Sequence, residues 1–415
     1  MLKGKFKKMC QNKKIAWLVA GVVLVLVIIV GWGIGRYYQR GNAIGNLGSS
    51  SKLARLTIST PHDSFSPFMS SIFGFELLLD APAAATFAYT CTQGSFCRYE
   101  NGQIENIGDK ITTEETIYWC PSEKDRHDEH LTTAAEILLS VAALDERGQV
   151  VAQGMVVIEH DLETGFFVFG GNPSSGKINP AQLEKLVGLA VLAQNASYLR
   201  GETATEGHLI LDTVEDEQEF LVYAIASHGN FAFENGVFTK VSGSGAIPTV
   251  LLFSRDEGGG YALIHYQNPE DGSRYLDSVK EMFPRRLHRR VLAAHNDYPV
   301  LLAQEEAQAT AYLASIGREA LVNGAHVEKE LAQIDVDASN KLFSEFTKED
   351  LFLNDCPNWL GTREKLEDGV RYIFETAQEK TADGYDLIIF QKKTEDGHVI
   401  EEQSYKIVGS EPLRL

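Results

Sequence analysis

Cysteine, proline and basic charge are all scarce in this chain. Five Cys in 415 residues are too few for a disulfide-dense scaffold. Twelve Pro and 36 Gly exclude collagen-like and Pro-rich low-complexity chains. The formal net charge of −19 argues against nucleic acid as a general partner, because phosphate binding needs a basic face. What remains, with 44% hydrophobic and 23% charged residues, is ordinary globular composition, which excludes wholesale disorder. The length exceeds one ordinary core, so two or three folded units are expected.

Motifs for catalysis are missing as well. The eleven His never form HExxH, in which two His share a helix face with a Glu between them as base. His127 and His130 in DRHDEH lie in a polar stretch between strands and read as a solvated loop. Ser174 and Lys177 have SxxK spacing, but NPSSGKINP puts Gly between them and Pro on both sides, a loop where that chemistry needs a helical turn. GxSxG, GxGxxG and the P-loop are absent. Asp335, Asp337 and Ser339 start like a calcium loop. Asn340 at the sixth position and Phe346 at the twelfth break the pattern, and a helix cap explains the acids. No catalytic, cofactor-binding or metal-ligating residue is assigned, and no cofactor is implied.

The clearest positive signal is at the N-terminus. Residues 1–40 hold eight Lys and Arg and no acid, +8, which leaves 30 basic against 57 acidic residues, −27, for the rest. Ile15–Gly35 is 21 residues without a charge. As a helix rising about 1.5 Å per residue it matches the hydrocarbon core of a bilayer. Trp17 and Trp32 sit near its ends, with Tyr37 and Tyr38 just beyond, as interfacial aromatics do. Six Lys precede the run and two Arg follow it, so the positive-inside bias places the N-terminus in the cytoplasm and the bulk outside. A cleaved signal peptide is the competing reading. The run is long for one, and no small-x-small site follows closely.

The expected organisation is multi-domain. Residues 1–14 form a basic cytoplasmic head, 15–35 a transmembrane helix, and 36–52, rich in Gly, Ser and Asn, a tether. Over 53–160, short alternating runs such as ATFAYTC, SFCRYE and ETIYWC predict an all-β sandwich. Its best-marked piece is a hairpin over Glu136–His160 turning at Asp145–Gly148. Residues 161–335 read as α+β. A helix over NPAQLEKLVGLAVLAQNASYL leads into a meander with turns at Glu234–Gly236 and Asp256–Gly258, then helices over SRYLDSVKEMF, LHRRVLAAH and Pro299–Ile316. Residues 336–415 end in a three-stranded meander turning at Asp383–Gly384 and Asp396–Gly397.

By strand count, the terminal hairpin and the YWCP turn, residues 53–160 look like a bacterial immunoglobulin-like domain. Helix, GHLILDT, VYAIA, FENGVFTKVSGS and GYALIHYQNPEDGSRYLDSVKEMFP follow in order, with NWLGTREKLEDGVRYIFETAQEK near the end. Over about 190–410 this resembles the extracytoplasmic C-terminal region of some Firmicutes BlaR/MecR-type membrane proteins. The resemblance implies a Gram-positive-type cell surface and a sensing or regulatory role. Their metallopeptidase part has no counterpart here, so no catalytic residue carries over.

Two residue groups remain as candidates. Cys91, Cys97 and Cys120 share the first module, where an oxidising compartment permits one disulfide in any of three pairings. Arg285, Arg286, Arg289 and Arg290, with His288, form a basic cluster in an acidic body, suited either to an anionic partner or to internal salt bridges. The expected protein is a non-catalytic, single-pass binding or sensing module. It touches the bilayer through 15–35 and an envelope or membrane protein through its body. A surface hydrolase with a site between the α+β regions, or a structural envelope protein, are the alternatives.

Overall fold

The structure, a computed structural model, describes residues 53–67, 73–81, 86–100, 103–122, 136–162, 164–170, 178–195, 201–215, 218–255, 260–325, 327–367 and 369–415. The expected head, span and tether lie outside the described residues, as do His127, His130, Ser174, Lys177 and the Asp256–Gly258 turn. No helix among the described residues is long and apolar enough to cross a membrane.

The first module is all β: β1 (Thr57–Ser59), β2 (Ser64–Phe65), β3 (Phe75–Glu76), β4 (Leu78–Asp80), β5 (Thr86–Cys91), β6 (Ser95–Glu100), β7 (Gln103–Gly108), β8 (Lys110–Thr113), β9 (Tyr118–Cys120), β10 (Glu136–Leu144), β11 (Val150–Asp161) and β12 (Phe166–Phe169). Sheet β3-β9-β6-β7 packs on β8-β5-β10-β11-β12-β2. Trp119, Phe75, Phe96, Phe65 and Phe167 fill the space between them. The indole N–H of Trp119 donates to the Gln93 carbonyl at 3.0 Å, so its one polar atom costs nothing inside the core. The expected β10–β11 hairpin is present. Asp145 Oδ1 accepts from the backbone N–H groups of Arg147 and Gln149, and Gly148 takes φ +74° to close the turn.

The sheet continues past residue 160, because Gln153–Met155 of β11 pair with Tyr261–Leu263. The second stretch opens with α1 (Pro180–Gln194), whose first turn is capped by Asn179 with Pro at N1. Then come β13 (Thr203–Glu215), β14 (Glu219–Glu234), β15 (Val237–Gly243), β16 (Ile247–Arg255), β17 (Tyr261–Gln267), α2 (Tyr275–Met282), α3 (His288–Val291), α4 (Tyr298–Ser315) and β18 (Val322–Asn323). Strand β14 is apolar on consecutive positions because both its faces are covered. Phe220, Val222 and Ala224 pack toward α1, while Leu221 and Tyr223 pack toward α2 and α3. LHRRVLAAH is not the single helix its pattern predicts. Only α3 is α-helical there, between 3₁₀ turns at Arg285–Leu287 and Ala294–Asp297 that seat Val291 and Ala294 on the sheet.

The last stretch holds α5 (Val336–Asn340), α6 (Leu351–Asp355), β19 (Gly361–Glu367), β20 (Val370–Lys380), β21 (Asp386–Thr394), β22 (Val399–Val408) and β23 (Glu411–Arg414). The meander therefore has five strands rather than three. Strand β19 reads GTREKLE, without a buried position to mark it, and β23 is four residues long. Phe374, Ile388, Phe390, Tyr405 and Ile407 pack beneath Leu342, Phe352 and Leu353. Asp335 caps α5 by accepting from the N–H groups of Asp337 and Ala338, in agreement with the cap expected there.

Candidate functional site

The most unusual chemistry in the molecule is buried charge around β13 and β14. Helix α4 lies against these strands because two glycines admit it. A Cβ on Gly207 would sit 2.5 Å from the Leu301 carbonyl oxygen, and one on Gly229 would overlap Glu305 Oε2. At that distance α4 serves as a substitute strand. Gln304 accepts from the His208 N–H at 2.8 Å and donates to the His208 carbonyl at 3.1 Å. Gln308 does the same for Glu206, at 3.1 and 2.7 Å. Two side-chain amides one helical turn apart thus satisfy backbone groups that β14, on the other side, does not reach.

Under α4, Glu305 is fully buried. Its carboxylate accepts a short hydrogen bond from Ser227 and pairs with Lys240 Nζ at 2.7 Å. Lys240 also donates to the Ser244 carbonyl at 2.8 Å. Burial pushes the Glu305 carboxyl up, while Lys240 and Ser227 pull it back toward the charged form without fully offsetting the loss of water. Across the sheet, His208 lies between Glu206 (2.7 Å) and Glu184 of α1 (2.8 Å). Burial acts to lower its pKa, but the hydrogen bond and charge of Glu206, with those of Glu184, outweigh it and leave the imidazole above its ordinary value. His228 goes the other way. Burial and the Lys240 charge hold it down to about 4, so at neutral pH it is uncharged.

A serine beside a carboxylate, a lysine and a neutral histidine invites comparison with nucleophilic catalysis. That chemistry requires the hydroxyl to meet a substrate and a base to take its proton. Ser227 is 1% exposed and its hydroxyl already faces Glu305. The cleft beside it, lined by Asn195, His228, Ser244, Thr249, Tyr266 and Asn268 among others, has room for about one water molecule. The groups hold α1 and α4 to the sheet. Among the described residues, no group of three or more His, Cys, Asp or Glu is placed to hold a metal ion.

A second buried network ties the C-terminal meander to the rest. Arg371 of β20 makes a two-pronged pair with Glu202 at 2.7 and 2.5 Å and reaches Glu364 at 3.1 Å. Arg318 grips Glu364 from the other side at 2.7 and 2.9 Å and stacks 3.7 Å from the centre of the Phe233 ring. Tyr312 donates to Glu202 at 2.9 Å. No family model matches the chain, and no curated protein matches it.

The basic cluster divides in two. Arg286 pairs with Asp212 and Arg290 with Asp297. Arg285 and Arg289 face out, exposed, and no acid among the described residues pairs with either. The cysteines named above are all buried in the first module, with no disulfide among them. Cys97 stands opposite Tyr118 and Cys120 opposite Ser95, so these two are diagonal on neighbouring strands.

The sequence reading missed both charged networks, because their members come from up to 169 positions apart. One signal was available for the first. Leu301, Glu305, Ala309 and Leu313 repeat every fourth residue along α4, and a carboxylate inside an otherwise apolar stripe must find a buried partner.

Proposed function

We propose that this protein is a membrane-anchored, extracytoplasmic binding or sensing module of a Gram-positive-type cell surface, without catalysis of its own. The observation that carries this reading is the uncharged run Ile15–Gly35, with six Lys before it and two Arg after it, ahead of a body of charge −27. The character of the buried charge supports the non-catalytic part. Glu305, Lys240, Glu202 and Arg371 are each engaged by a protein partner and closed off from solvent, as suits a scaffold better than a reaction centre.

Protease added to wall-stripped intact cells tests the reading. The acidic body is degraded, and the full-length chain stays with the membrane after alkaline extraction. A protected body, or a full-length chain recovered in the soluble fraction, overturns it.

A further inference from the structure

The surroundings of His208 on β13 fix its protonation by geometry. Nδ1 lies 2.7 Å from Glu206 Oε2, and Nε2 lies 2.8 Å from Glu184 Oε2. A carboxylate can only accept, so both ring nitrogens must donate, and only the imidazolium carries two donors. The two carboxylates are not equivalent. The Glu206 side chain is 10% exposed, and Gln308 donates to its other oxygen at 3.3 Å. The Glu184 side chain, on α1, is 57% exposed. Helix α1 comes this close because Gly188 has no side chain. A Cβ there would lie 2.7 Å from Glu206 Oε1 and 3.5 Å from His208 Cε1.

Other charged and titratable groups face this cluster from each packed element. Lys110 of β8 donates to the Ala204 carbonyl at 2.7 Å, and its charge and that of Glu206 act on each other. His228 stands opposite Glu206 on β14. From α4 come the amides of Gln304 and Gln308, and Glu305, which is paired with Lys240. Burial pushes Tyr266 of β17 up to about 12. Only the two imidazoles have ordinary values near neutrality, and burial with the Lys240 charge takes His228 down to about 4. Burial also opposes charge on His208, but the hydrogen bonds and charges of Glu206 and Glu184 more than restore it.

When the imidazolium gives a proton to water, one ring lone pair is left facing a carboxylate. The remaining hydrogen stays on Nδ1, because Glu206 is shut off from water while Glu184 can be hydrated. Nε2 and Glu184 then meet as two acceptors, and that tie between α1 and β13 is lost. The other side of α1 keeps its hold on β10, through Gln182 to the Glu136 carboxylate at 3.0 Å and Lys185 to the Glu136 carbonyl at 3.2 Å. We infer that Glu184, His208 and Glu206 form a proton-operated latch, which clamps α1 onto β13 below about pH 6.5 and releases that side of the helix as pH rises into the alkaline range. The latch lies wholly in the folded body and does not rest on the membrane reading.

The test is amide hydrogen exchange of the full chain in mild detergent at about pH 6 and about pH 9, expressed as protection relative to the intrinsic rate at each pH. A charge-assisted hydrogen bond partly open to water is worth about ten-fold, so protection over 183–189 is expected to fall by about that factor, with the β20–β22 amides unchanged. In E184Q the amide can accept from the charged ring and donate to the neutral one, so α1 should stay protected at both values. E184A should show the low protection at both. In protein labelled with ¹⁵N-histidine, the signal missing from H208Q should pass from imidazolium to the Nδ1–H form over the same range. Equal α1 protection at the two values, a loss shared with β20–β22, or an E184Q response like wild type overturns the latch. So does a ring that is neutral at about pH 6 or still charged at about pH 9.

Discussion

Replacing Arg371 with Met should loosen the C-terminal meander from the rest of the body. The side chains of Arg371, Glu202 and Glu364 are 9%, 4% and 10% exposed, so the substitution strands carboxylates away from water. Removing one partner of a buried pair costs about 3–5 kcal/mol, because the remaining charge stays desolvated. Arg318 still holds Glu364, and Tyr312 still donates to Glu202, which places the expected cost at the lower end, about 3 kcal/mol. Local opening is read by hydrogen exchange of the β20–β22 amides, where about 3 kcal/mol appears as a rate increase of roughly 10²-fold. The double variant E202M/R371M removes both charges in similar volume and should return most of the loss, since an apolar pair in a buried site is close to neutral. An R371M rate within about five-fold of wild type would refute the argument, by showing that the network behaves as a solvent-screened surface pair.

Other substitutions probe the neighbouring contacts. Gly229→Ala pushes a methyl group into Glu305 and should cost about 2–4 kcal/mol in urea unfolding, with Gly236→Ala, whose added methyl meets no neighbour but whose φ is positive, losing only its local backbone strain. Gln304→Leu and Gln308→Leu each leave a backbone N–H and carbonyl of β13 without their side-chain partners, about 1–3 kcal/mol apiece by the same measurement. The two histidines give stability opposite pH dependences. His208 is held above its ordinary value, so its contribution is complete below about pH 6.5 and is lost as pH rises through the folded pKa; H208Q should remove that alkaline decline. His228 is held down to about 4, so its contribution is present above about pH 6.5 and is lost as pH falls toward 4; H228N should flatten the acid side of the same profile.

Much of the strand order was legible along the chain because local rules governed it. The β10–β11 turn, Asn235–Gly236 and the Asp-Gly turns of the meander put glycine, or Asn, where positive φ is needed, and the structure uses each that way. Asn179–Pro180 marked the start of α1 for an equally local reason. Strand β19 escaped notice because GTREKLE has no buried position to mark a strand, and the partner beside it is distant: Arg363 lies opposite Glu234, 129 positions earlier. The arginine cluster was visible as a cluster, but a count of charges could not divide it. Arg286 is paired by Asp212, 74 positions away, which only the fold brings near, whereas Arg290 is paired by Asp297, seven positions on in the next turn.

The sequence by itself determined composition class, the uncharged run, the charge asymmetry and most turns, because each depends on residues within a few positions of one another. Tertiary structure alone decided that β14 is covered on both faces, that α4 completes the edge of β13, and that Glu305 and Glu202 find their cations. Those outcomes depend on which distant groups share a desolvated space, and a carboxylate there is tolerated only where the folded chain supplies its partner.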